Sequence, residues 1–109
     1  MEDLSNWLSE GMPQKKTKFI NQLLKVGEEK TFIYKAVRKA MGKFGKTIHY
    51  LFYSPNGELI FDSKNPKHAE IFQCIPFESR VSIKKVFKDG RTIYEIKYLN
   101  SIEDEDLRL

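Results

Sequence analysis

Polar and apolar residues change their period near Lys30. Upstream, apolar positions recur at helical spacing. Leu4, Trp7 and Leu8 follow a capping Asp3, which predicts a short helix that Gly11 and Pro13 break. Phe19, Ile20, Leu23 and Leu24 form a second apolar stripe, flanked by Lys15, Lys16, Lys18 and Lys25 and ended by Gly27. That stripe fits either a second short helix or an extended arm docked through its apolar side chains.

From Lys30 onward the pattern is that of strands and tight turns. TFIYKAVRKAM is rich in β-branched and aromatic residues and reads as a long first strand. GKFGK is a turn, and TIHYLFY a second strand. SPNG is a turn, with Asn56-Gly57 able to take positive φ, and ELIFD is a third strand. SKNPKHAEIFQCIP predicts a helix capped by Asn65, begun by Pro66 and stopped by Pro76. RVSIKKVF is a fourth strand with Val81, Ile83 and Phe87 on one face, KDGR a hairpin turn through Asp89-Gly90, and TIYEIKYL a fifth strand. The expected fold is therefore mostly β with short helices, in the order β-β-β-α-β-β. Residues 1–29 form an N-terminal arm with one or two helical segments, 30–100 the barrel, and 101–109 an acidic tail.

Three strands, a helix and two strands, with a long first strand, is the order of the five-stranded oligonucleotide-binding (OB) barrel. The basic first strand with its KFGK turn, the aromatic second strand IHYLFY, the bridging helix and the final KDG hairpin resemble small OB-fold single-stranded DNA-binding proteins, especially viral or phage ones. The resemblance covers about Lys30 to Asn100. It implies sequence-tolerant binding of single-stranded DNA in viral or phage replication or recombination, in the cytoplasm of a host cell. It also implies that an acidic tail docks a replication protein, although this tail ends Leu-Arg-Leu instead of closing in an aromatic.

Charge agrees with a polyanionic partner. The 109 residues carry a net charge of only +4. Residues 15–46, however, hold ten Lys/Arg against two Glu, and residues 80–98 hold six against two acidic residues. Concentrated positive charge binds phosphates by releasing their counterions. The alternative is that these lysines merely solvate an ordinary surface. Cys74 is the only cysteine, which excludes an internal disulfide and fits a reducing compartment; on its helix it is expected to be a small buried hydrophobe. No apolar run approaches the roughly 20 residues that span a bilayer.

Candidate contacts follow from alternation. In the second strand Ile48, Tyr50 and Phe52 point one way and His49, Leu51 and Tyr53 the other. A barrel has one interior, so the other set is either a stacking platform for bases or a face covered by the N-terminal arm or a second copy. The polar tips of His49 and Tyr53 favour the wet side, with Tyr50 a further candidate. At the GKFGK turn, Phe44 between Lys43 and Lys46 can stack on a base while the lysines meet phosphates. Lys35, Arg38 and Lys39 add charge on the strand before it. In an OB barrel the KDGR hairpin, with Lys84, Lys88 and Arg91, is expected to lie across the same groove.

Catalytic signatures are missing from the sequence. It has no phosphate-binding glycine loop, no nucleophile elbow and no HExxH, and His49, His68 and Cys74 share no metal-ligand spacing. The expectation is a binding protein with no cofactor and no metal. RNA is an alternative ligand for the same surface, since a 2′-hydroxyl contact leaves no mark in the sequence. A small viral protein-interaction or inhibitor module is the other alternative.

Overall fold

A computed structural model describes residues 16–101. The expected helix around Leu4–Leu8, with Trp7, and the tail from residue 102 lie outside these residues. The described chain runs β1 (Lys16–Phe19), α1 (Ile20–Leu23), β2 (Glu29–Gly42), β3 (Gly45–Phe52), β4 (Gly57–Ser63), α2 (Pro66–Gln73), β5 (Ser79–Lys88) and β6 (Arg91–Ser101). The six strands form one curled sheet in the order β1-β4-β3-β2-β5-β6.

The curl originates in β2, which changes partners midway. Glu29–Ile33 pair with β5, and Tyr34–Gly42 pair with β3. A bulge at Lys35, between Tyr34 and Ala36, marks the switch. Bulges bend a strand and increase its twist, so the two halves of the sheet wrap toward each other. From β2 to β6 the element order is the β-β-β-α-β-β expected from the sequence, and the fold is a mostly β half-barrel of the OB type.

The barrel does not close by a ladder. Among the described residues no hydrogen-bonded pairing joins β4 to β6. Instead β1 lies parallel along the outer edge of β4, with Phe19 beside Ile60. Both sequence readings of this arm hold in part: it is an extended strand that turns into a single helical turn, with Ile20 and Leu24 buried. Asn21 then bridges the gap. Its side-chain amide donates to the Asp62 carbonyl and accepts from the Asp62 N–H, both at 2.9 Å. Its own backbone carbonyl accepts from Lys85 Nζ at 2.7 Å and from the Tyr94 hydroxyl at 3.3 Å. One residue thus ties the β4 edge to β5 and β6.

The core is largely aromatic. Phe72 of α2 stacks on Tyr50, with ring centroids 4.0 Å apart, and lies within 5.1 Å of Tyr34 and 6.3 Å of Phe61. Phe52, Val81, Ile83 and Ile96 complete it from the sheet. α2 forms as predicted: Pro66 opens it, and the Asn65 side chain accepts from the Lys67 N–H at 2.9 Å. Its inward positions are His68 and Phe72. Cys74 at its C-terminal end is exposed, which corrects the expectation of a buried thiol.

His68 fastens the helix to the sheet. Its Nε2 lies 3.1 Å from the Tyr94 carbonyl, which can only accept, so Nε2 carries the proton. Nδ1, 2.6 Å from Ser63 Oγ, is then the acceptor, and Ser63 Oγ in turn accepts from the Asn65 N–H. Burial lowers the imidazole pKa, against a smaller opposing effect of the Tyr94 carbonyl. Neutral His68 is therefore structural.

Candidate nucleic-acid interface

The structure divides the sequence-predicted contact residues between two faces and two hairpins. Residues directly opposite in an antiparallel pair share a face. On β2 and β3, Arg38 opposes His49, which puts both on the outer face with Tyr53. Lys39 opposes Ile48 and Met41 opposes Lys46, on the concave face that also carries Tyr50.

The outer face is less open to an anion than its sequence suggested. Arg38 Nη1 is bound at 3.0 Å to Glu58 Oε2. The Asp62 carboxylate accepts from the Thr47 hydroxyl, and one of its oxygens lies 3.9 Å from His49 Nε2. Phe19 of β1 packs edge-on against the His49 ring at 5.9 Å. The Tyr53 hydroxyl donates to Glu78; that bond, more than partial burial, raises the phenol pKa, and Lys35 Nζ sits 5.6 Å from the ring centroid. Three carboxylates thus engage the polar groups of this face. Tyr50, a sequence candidate for base stacking, is corrected outright. It is 2% exposed, stacked on Phe72, and burial raises its pKa. Its ring belongs to the core because the Ile48-Tyr50-Phe52 set is the inward one.

The concave face beyond the core differs in charge. The β2–β3 hairpin overshoots the aromatic core, so its inward-facing residues meet solvent. Lys39, Met41, Lys46 and Ile48, with Ala40, Thr47 and Lys64, line an open concavity of about 550 Å³. Gly42 pairs with Gly45 and closes the hairpin over a two-residue turn, Lys43-Phe44. Gly45 has φ of 111°, which side-chain-bearing residues avoid. So tight a turn cannot fold its side chains back under the sheet, and Phe44 is 83% exposed. Lys64 Nζ donates to the Phe44 carbonyl at 2.8 Å and lies 5.7 Å from its ring centroid, while Lys43 Nζ lies 5.8 Å from it. None of Lys39, Lys43, Lys46 or Lys64 pairs with a carboxylate among the described residues. An exposed ring with two ammonium groups beside it and two more, Lys39 and Lys46, on the adjoining concavity can take a flat ring and the phosphates on either side of it. Next to this concavity, Val37, Ala69, Ile75, Pro76 and Phe77 line an apolar groove of about 400 Å³ between β2 and α2.

The second hairpin lies at the other end of the β2 ladder. The β5–β6 turn has positive φ at both Asp89 and Gly90, as Asp-Gly predicted. It projects past the N-terminal end of β2, where Glu29 pairs with Lys84, whereas the Phe44 hairpin closes the C-terminal end. The intervening strand path is roughly 40 Å at about 3.3 Å per residue. No hydrogen bond, ion pair or ring contact joins the two hairpins among the described residues. Lys88 and Arg91 sit opposite each other at the tip of this hairpin, and Lys84 stands between Glu29 and Glu95.

Sequence reasoning missed Lys64 and Met41. Lys64 was legible only as the residue before a helix cap. Its proximity to Phe44 depends on the pairing of Ile48 with Ser63, which fixes where β4 ends relative to the hairpin. No protein-family model, curated protein or solved structure matches this chain. Among the described residues no cluster of His, Cys, Asp and Glu could hold a metal ion, and no helix is long and apolar enough to cross a membrane.

Proposed function

We propose that this chain is a non-enzymatic binder of single-stranded nucleic acid, DNA in preference to RNA, acting in the cytoplasm. A base stacks on Phe44, and the adjoining phosphates lie against Lys39, Lys43, Lys46 and Lys64. The observation that carries this reading is the exposed Phe44 ring at the tip of a glycine-framed turn, with two ammonium groups within 6 Å of its centroid. An exposed ring gains from an unstacked base, which a single strand offers and a duplex withholds. Stacking on one ring is sequence-tolerant, because every base has a π-face. The basic concavity supplies the backbone contacts, which make affinity fall with salt.

The test is a fluorescence-polarisation titration with labelled single-stranded DNA, single-stranded RNA and duplex DNA at two salt concentrations. The proposal expects the single strands to bind more tightly than the duplex, DNA to lead RNA, and affinity to fall with salt. RNA leading DNA would move the function to RNA. Equal binding of duplex and single strand, or no dependence on salt, would overturn it.

A further inference from the structure

The outer edge of β6 has no strand beside it among the described residues, yet it is eleven residues long and carries exposed Ile93, Tyr98 and Leu99. Arg91 to Tyr98 pair with β5 without interruption before a bulge at Leu99, and a regular unpaired edge of this length invites another strand. Its sequence also specifies which strand. On one face of the sheet, Glu29, Lys84 and Glu95 lie side by side across β2, β5 and β6, alternating in sign, and the row stops at the β6 edge on a carboxylate. Two residues further along the same face of β6 stands Lys97, exposed and opposite only Ser82.

We infer that β6 pairs antiparallel with β6 of a second copy of this chain, about a two-fold axis through Ile96. In that register Glu95 of each copy faces Lys97 of the other. The row then continues as Glu29, Lys84, Glu95 and the second copy's Lys97, with the sign alternating at every step. Tyr94 opposes the second copy's Tyr98, which gives an aromatic cross-strand pair on each side of the axis, and the regular pairing ends at Leu99, which the ladder with β5 skips. A two-fold axis maps the same patch onto itself, so the contact is closed and stops at a dimer. The charges also fix the register. A slip that centres on residue 95 sets Glu95 against Glu95, and one that centres on 97 sets Lys97 against Lys97. Either puts like charges directly opposite, which destabilises a strand pair.

The inference is independent of nucleic-acid binding and is tested without it, by sedimentation velocity across a concentration series. The full-length chain is expected to show a concentration-dependent monomer–dimer equilibrium. Glu95→Lys and Lys97→Glu each create two like-charge oppositions per dimer, so each should raise the dimer dissociation constant by about tenfold or more. The double variant Glu95→Lys/Lys97→Glu restores opposite charges across the axis and should recover the dimer. It does so although the positive charge introduced at position 95 still faces Lys84 within its own chain, so recovery cannot come from a repaired monomer fold. Thermal melts show that the variants remain folded. A monomer at every concentration would overturn the inference. So would a dimer indifferent to the single swaps, or single-swap losses that the double variant fails to restore.

Discussion

Replacing Lys39, Lys46 and Lys64 together by alanine tests whether the concavity holds phosphates. All three side chains are exposed, line one surface and pair with no carboxylate among the described residues. Removing them should therefore leave the melting temperature almost unchanged. The effect on binding follows from counterion release. For a single strand the slope of log affinity against log salt is about −0.7 per neutralised phosphate, so three lost contacts flatten it by about 2. Between roughly 50 and 200 mM salt, the affinity of the unaltered protein should then fall about 18-fold more than that of the triple variant. The assay is a polarisation titration of labelled single-stranded DNA at four or five salt concentrations for both proteins. Equal slopes would refute the reasoning, even if the variant bound more weakly at every salt.

Three further outcomes concern the fold. Asn21→Ala removes both hydrogen bonds to the Asp62 backbone at the β4 edge, and should cost about 1–3 kcal/mol in urea unfolding. No loss of stability would show that the Asn21 bridge does not hold the open side of the barrel. The Tyr50 hydroxyl is buried without a hydrogen-bond partner among the described residues, so Tyr50→Phe should be neutral or stabilising by about 1 kcal/mol, and clear destabilisation would reveal a partner for it. Because the His68 pKa is lowered in the fold, its contribution is complete above the unfolded value of about 6.5 and is lost as pH falls from there through the folded value. Urea midpoints should therefore drop as pH falls below about 6.5, and His68→Gln should flatten that limb.

Much of the fold was written locally. Asp89-Gly90, Asn65-Pro66 and the two glycines around Phe44 are residues whose backbone preferences act within one turn, and each produced the expected turn or cap. Alternation put Tyr50 on the face opposite His49 and Tyr53 but did not say which face was inward, so Tyr50 stayed a contact candidate until its burial against Phe72 placed it in the core. What sequence could not supply was register over long separations. The position of Lys64 beside Phe44 depends on how far β4 runs along β3. The pairing of Arg38 with Glu58 crosses from β2 to β4 over the intervening β3. Which half of β2 each neighbouring hairpin takes is set at the Lys35 bulge. The parallel docking of β1 on β4 is a tertiary choice too, since Thr17 to Phe19 carry no pattern that distinguishes an edge strand from the first turn of a helix.

The most direct measurement is the affinity of Phe44→Ala for single-stranded DNA against that of the unaltered chain. The ring is 83% exposed, so its loss costs the fold little and any change in binding belongs to the contact itself. Losing one stacked base should cost about 1–3 kcal/mol, which is roughly a 5- to 150-fold rise in dissociation constant. Binding that is unchanged in the folded variant would contradict the account.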